Sequence, residues 1–148
     1  MRILLVIHGY PPYYMAGSEV YTYNLARELA KTNDVFVFHR IEDKDIPLHQ
    51  FFDSFEEGVH IRKINNYEPT PATFYDKYLN PEIDDAFREY VKKVNPDVVH
   101  IGQLSHLSTQ IPIIAKRDFG FPVLFTIHDF WTLCPRAPPL PTPHSPPS

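Results

Sequence analysis

The side chains able to do chemistry gather where apolar runs of this chain end. Pro122-Val123-Leu124-Phe125-Thr126-Ile127 leads into His128-Asp129, followed by Phe130-Trp131 and a Cys134-Pro135-Arg136 turn. At the other end, Ile3–Ile7 leads into His8-Gly9-Tyr10-Pro11-Pro12, and Gly17-Ser18-Glu19 opens a helix. His100 closes a third run and His106 follows in a loop. Histidine donates or accepts hydrogen bonds near neutral pH, which suits contact with phosphate or sugar hydroxyls. A helix N-terminus offers free N–H groups and a partial positive charge, and so a place for phosphate. Gly17 would let such a ligand approach the backbone closely, with Ser18, Glu19 and Asp129 as further binding residues. The alternative for Gly17 is a tight turn that needs glycine for its φ angle. His8 and His100 read as hydrogen-bonded structural residues. His106 and His128 lie in loops, where binding and structural roles are evenly matched.

Other chemistries find little support. His128, Asp129 and Cys134 are near in sequence but lack a zinc-site spacing, so no metal is expected. No base can be assigned to Cys134, and Phe130 and Trp131 read as packing residues. The chain has neither G-x-G-x-x-G nor G-x-x-x-x-G-K-[ST], which counts against a dehydrogenase and a P-loop NTPase, and no cofactor is expected.

These residues need a scaffold that brings strand ends together. Ile3–Ile7 has the unbroken apolar character of a parallel strand covered on both faces. A helix is expected over about 19–31, with Ser18 as N-cap and Tyr21, Leu25 and Leu29 on its apolar stripe. Asp34–His39 and Val59–Ile64 read as the second and third strands. Leu48, Phe51, Phe52 and Phe55 read as a short helix between them, and residues 65–79, with Pro69, Pro71 and four aromatics, as an ordered surface excursion. Asn80-Pro81 is an N-cap followed by proline at the first helical position. It introduces a stripe of Ile83, Phe87, Tyr90, Val91 and Val94 that Asn95-Pro96 ends. Asp97–Ile101 is the fourth strand, 107–118 a helix that Pro112 must delay or kink, and Val123–Ile127 the fifth strand.

Strands alternating with helices predict an α/β fold: a Rossmann-like, doubly wound parallel sheet with Ile3–Ile7 central and Val123–Ile127 toward one side. In such sheets ligands bind outside the carboxyl ends of the strands, where His8, His100, His106 and His128 would lie near one edge. Residues 1–136 form one domain on this reading. Residues 137–148 hold six prolines in twelve positions. They read as a disordered tail with too little apolar surface to fold.

With 148 residues, 43% of them apolar, one core is expected. The net charge of −4 and the lack of a basic run argue against nucleic acid. A single cysteine excludes an internal disulfide and suits a reducing compartment. No run approaches the ~18 apolar residues of a membrane span. A cytoplasmic protein is expected, with work on a lipid at the inner membrane face left open.

Three motifs together resemble one family. Pro11-Pro12 with Gly17-x-Glu19 and Leu25-Ala26 is similar to the opening of retaining family 4 glycosyltransferases of the two-Rossmann-domain (GT-B) type. Pro96-Asp97-Val98-Val99-His100-Ile101 resembles their fourth-strand signature. Thr126-Ile127-His128-Asp129-Phe130-Trp131, with Leu133-Cys134-Pro135-Arg136, resembles their fifth-strand block. The resemblance covers about residues 1–136 and corresponds to the N-terminal, acceptor-side domain. It implies hexosyl transfer, with retention, from a UDP- or GDP-sugar to a glycan or lipid-linked acceptor. It also implies His128 and His106 as catalytic candidates, with Gly17 near the donor diphosphate.

Two departures stand out. Many relatives carry another histidine just after the fourth-strand signature, where this chain has Gly102 and Gln103. The family's C-terminal domain holds most nucleotide contacts and a pair of glutamates eight positions apart, and no two glutamates here have that separation. The expectation is therefore a truncated or split enzyme, inactive without a partner chain that supplies the donor domain. The competing readings are a non-catalytic or vestigial Rossmann-like binding module and, more remotely, an unrelated nucleotide binder.

Overall fold

The computed structural model describes residues 1–67, 75 and 78–129. In chain order the elements are β1 (Arg2–Ile7), α1 (Gly17–Ala30), β2 (Asp34–Ile41), β3 (Phe51–Glu56), β4 (Val59–Asn65), α2 (Pro81–Val94), β5 (Val98–Ile101), α3 (Ile111–Ile113) and β6 (Val123–Phe125). One π-helical turn, Ile114–Asp118, continues α3. The strands form a single sheet in the order β3-β4-β2-β1-β5-β6. Every pairing is parallel except β3 with β4. The doubly wound α/β fold expected from the sequence is therefore present, with β1 interior between β2 and β5.

Strand alternation sorts the core into two layers. Ile3, Leu5, Ile7, Val35, Val37, Val59 and Ile61 pack with Tyr10 and Ala26 on the α1 face. Leu4, Val6, Phe38, Ile64, Val99 and Ile101 pack with Ile83, Phe87, Tyr90 and Val91 on the α2 face. The α2 stripe is as expected, and all five of its apolar residues are buried. The Asn80 side chain accepts a 3.0 Å hydrogen bond from the Ile83 amide, and Asn95 closes the helix in the left-handed conformation.

Several expectations need correction. The residues expected to form a short helix include β3, which pairs antiparallel with β4, Phe51 opposite Ile64 and Glu56 opposite Val59. Glu57 and Gly58 both have positive φ, 50° and 84°, the backbone that a two-residue hairpin turn requires. A non-glycine residue at the first of these positions hides the turn from a sequence reader. Tyr23 and Arg27 of α1 hold the Glu57 carboxylate at 2.6 and 3.1 Å, pinning the hairpin to the helix.

Helix α1 begins at Gly17, and its N-cap is Ala16, with no side-chain hydrogen bond. Ser18 is inside the helix, not at its cap. The buried residues of α1 are Glu19, Thr22 and Ala26, while Tyr21 is exposed and Leu25 and Leu29 only partly buried. The last helix starts late, at Ile111, with Pro112 in its first turn. The final strand stops at Phe125, and Leu124, Phe125 and Ile127 are exposed rather than buried. The parts of the 65–79 excursion at 68–74 and 76–77, together with Phe130, Trp131, Cys134 and the proline-rich tail, lie outside the described residues.

Candidate functional site

The parallel winding sends the carboxyl ends of β1, β2, β4, β5 and β6 to one edge of the sheet, where the loop to α1 also begins. His8, Arg40, Asn65, Gly102 and His128 each stand at or just past one of those strand ends.

His8 and Glu19 are the centre of this edge. Glu19 is 3% exposed, and its Oε1 lies 2.9 Å from His8 Nε2. Its second oxygen accepts a 3.0 Å bond from the Ser18 hydroxyl. Thr22 donates back to the Ser18 carbonyl at 2.8 Å, one turn earlier in the helix. A carboxylate beside Nε2 orients the ring with the proton on that nitrogen, leaving Nδ1 as the lone-pair side. That Nδ1 is buried without a hydrogen-bond partner among the described residues. Burial pushes the His8 pKa down, and Glu19 opposes it by attraction. Arg40 and His106 push in the direction of burial, and Asp129 pulls the other way. The net direction is downward, which favours the neutral ring.

The second group is carried by the loops after β5 and β6. Gln103 Nε2 donates to the Asp129 carboxylate at 2.8 Å, while Gln103 Oε1 accepts from the Leu104 and Ser105 amides at 2.8 and 3.3 Å. One buried amide thus ties the β6 loop to the β5 loop. His106 has a φ of 57°, and its carbonyl accepts from Asn66 at 2.7 Å. His128 is exposed and meets Tyr21, one turn into α1, edge to face at 5.0 Å. His100 shares a 2.7 Å hydrogen bond with Thr126, a tie between β5 and the end of β6.

The third component is the helix entrance. Gly17 is exposed, has no positive φ, and a Cβ built there would meet nothing within 4 Å. The alternative that the turn requires glycine for its dihedral is thereby overturned. Because Ala16 supplies no side-chain cap, the amides of the first turn of this 14-residue helix keep donor capacity that no side-chain cap among the described residues takes up. Gly9 is a different case. A Cβ there would lie 2.7 Å from the Tyr14 ring, which in turn rests on the Arg40 guanidinium at 5.5 Å. Arg40 is buried and donates to the Asn66 carbonyl at 2.9 Å.

Of the six residues expected to form the site, all stand at this edge in three settings. Gly17 and His128 are open, and Glu19 is occupied by His8 and Ser18. Asp129 is held by Gln103 and, like His106, acts electrostatically on His8. Residue spacing gave no warning of His8 as Glu19's partner, because eleven positions separate them. Gln103 carried a signal, the departure after the fourth-strand signature, but its use as a bridge did not show. Among the described residues no group of three or more His, Cys, Asp or Glu side chains is arranged to hold a metal ion. None of the described helices is long and apolar enough to cross a membrane.

Compared with known protein families, residues 15–146 match the model of Glycosyltransferase Family 4. No curated protein matches the chain.

Proposed function

Because the chain belongs to glycosyltransferase family 4, we propose that it forms the acceptor-side half of a retaining two-domain transferase that moves a hexosyl group from a UDP- or GDP-sugar to a glycan or lipid-linked acceptor. The observation that supports this most is the union, at one sheet edge, of an uncapped helix N-terminus with three histidines.

Sugar transfer asks for stabilisation of a departing diphosphate and for an acceptor hydroxyl held in place, tasks of electrostatics and positioning. The open first turn of α1 at Gly17 and Ser18 serves the first task, since its free amides favour anionic oxygen. His128, exposed beside Tyr21, serves the second by hydrogen-bonding a sugar hydroxyl. Glu19 acts through His8, holding the neutral ring in one orientation rather than touching substrate. Gln103 and Asp129 act through position, keeping the β6 loop that carries His128 registered on β5. A nucleotide-binding domain facing this edge, on the same or another polypeptide, supplies the base and ribose contacts.

Isotope-labelled protein titrated with UDP-glucose and with GDP-mannose tests the reading. Amide shifts at 17–20 and near His128 are the expected result, with weak affinity and no turnover by these 148 residues alone. With a donor domain supplied, His128→Ala is expected to lower transfer by roughly tenfold, the loss of one good hydrogen bond, with the fold intact. Shifts that avoid the α1 entrance, or unchanged transfer by that variant, would refute the assignment.

A further inference from the structure

At the opposite edge of the sheet lies a second concavity of about 460 Å³, within the ~300–1,000 Å³ range of small-ligand sites. It sits on the α2 face, where β3 and β4 extend past the end of that helix. Phe36 and His60, side by side on β2 and β4, stack with ring centroids 4.8 Å apart and planes 15° from parallel, and both line the cavity. Tyr90 and Lys93, from the last turns of α2, form the opposite wall. Asp34 and Arg2, at the amino ends of β2 and β1, close the rim, with Asp53 and Ser54 of β3 beside them.

The charges on this rim decide what fits. Two cations, Arg2 and Lys93, face two carboxylates, Asp34 and Asp53, so the rim is balanced. Asp53 is already engaged by Arg62 at 2.7 and 2.8 Å and by Lys93 at 3.6 Å. Arg2 reaches back toward the Val94 carbonyl at 3.4 Å. Asp34 and His60 are both exposed, and Phe55 of β3 lies against the His60 ring at 4.7 Å. A phosphate-bearing ligand would bring net negative charge to a rim whose Arg2 and Lys93 are already matched by Asp34 and Asp53, with the Asp34 carboxylate in its way. A neutral ligand with many hydroxyls would meet the edges of the Phe36 and His60 rings, whose faces are stacked on each other. It would donate to Asp34, exchange hydrogen bonds with His60 and accept from Lys93.

We propose that this cavity binds a neutral sugar unit of the acceptor glycan, as a holding site separate from the transfer edge. The proposal rests on the glycosyltransferase reading for the source of the sugar, but not on the roles given to His128 or Gly17. β2 runs between the two edges, and its length, 8 residues at ~3.3 Å each, puts the cavity roughly 20 Å or more from the α1 entrance. A glycan held here would be long, or would return between additions, so the cavity acts on residence rather than on the reacting bond.

The test is a shift-mapping titration of the labelled 148-residue protein with neutral trisaccharides (maltotriose, mannotriose and chitotriose) and, in a separate arm, with glucose 1-phosphate. At least one trisaccharide is expected to move the amides of 34–36, 60–61 and 93–94 with millimolar affinity. Asp34→Ala and Lys93→Ala, both at exposed positions, are each expected to weaken that binding roughly tenfold with the remaining spectrum unchanged. No shift at these positions with any of the three sugars would overturn the proposal, as would a preference for glucose 1-phosphate or binding indifferent to both substitutions. Shifts here without any at 17–20 on adding UDP-glucose would sustain this site while removing the proposed function. The reverse pattern would do the opposite.

Discussion

Helices α1 and α2 have the same length, 14 residues, and lie on opposite faces of the sheet, yet they are built on different rules. Helix α2 has a side-chain cap at one end, a left-handed asparagine at the other, proline at its first position and an apolar stripe buried throughout. Helix α1 has no side-chain cap, and it buries Glu19 and Thr22 where α2 buries Phe87 and Val91. The sheet faces beneath them differ in the same sense. The α1 face carries the buried imidazole of His39; the α2 face carries an aliphatic and aromatic cluster, with a buried charge beside it, Arg62, lying over the Tyr90 ring and paired with Asp53 and Glu89. One helix satisfies its backbone and fills a core. The other leaves its first amides open and gives part of its buried surface to holding a histidine. The difference separates an element made for stability from one in which some stability is given up at the site.

The contrast can be broken most decisively at Phe87, fully buried and edge to face with Phe38 at 5.5 Å. Phe87→Ala is expected to destabilise the protein by about 3–5 kcal/mol, measured by urea unfolding, as aromatic-to-alanine changes in tight cores do. A loss under ~1 kcal/mol would show that the α2 face is not the main core.

The α1 face is expected to reveal itself through pH. Burial holds the His39 pKa down to about 4, against an ordinary 6.5, although its Nδ1–H donates to the Arg40 carbonyl at 2.8 Å. The unfolded chain takes up this proton near pH 6.5, and the folded protein only near 4. Stability is therefore complete above 6.5, falls as pH drops from 6.5 to 4, and loses nothing further from this group below that. The shift corresponds to roughly 3 kcal/mol. Urea midpoints across this window should be flatter for His39→Phe than for the parent. Identical slopes would remove His39 as the source.

At the helix ends the expected effects are smaller and opposite in sign. Asn80→Ala takes away the α2 cap and should cost about 1 kcal/mol in thermal unfolding. Ala16 already has the extended backbone of an N-cap, φ −80° and ψ 179°. Ala16→Asp should therefore raise stability by roughly 0.5–1 kcal/mol while weakening UDP-glucose binding at 17–20, because the new carboxylate takes the same amides. Gains in both properties would mean that the α1 entrance is not an anion site.

The same contrast explains what the sequence made legible. Helix α2 was readable because Asn80-Pro81, a strict stripe and Asn95-Pro96 all act locally and agree. β1, β2, β4 and β5 were readable from their apolar runs, although β2 extends two residues past His39 to Ile41, through Arg40, a charged residue that only tertiary burial accommodates. β3 was not readable, since Phe51, Phe52 and Phe55 do not alternate and the turn places Glu57 at a positive φ. The stripe assigned to α1 was rotated from the buried face: Leu29 packs against the core, but Tyr21 is exposed and the innermost positions include Glu19 and Thr22, which form hydrogen bonds. At the site, the histidines could be placed at strand ends from topology. The pairing of His8 with Glu19 and the bridge from Gln103 to Asp129 join residues eleven and twenty-six positions apart, and no local pattern marks them.

Gly9 has a consequence for how this protein can vary. Any side chain there must displace the Tyr14 ring, and Tyr14 covers Arg40, which holds the chain leaving β4 through the Asn66 carbonyl. Asn66 in turn holds the His106 carbonyl. A single added methyl group after β1 is thus felt along a line of contacts that ends in the loop after β5. In a saturation library sorted for folded protein, position 9 should return glycine almost alone, while the nearby exposed Met15 accepts many residues. Substitutions at Tyr14, Arg40 and Asn66 would then survive chiefly in combination, so that these positions drift as a set.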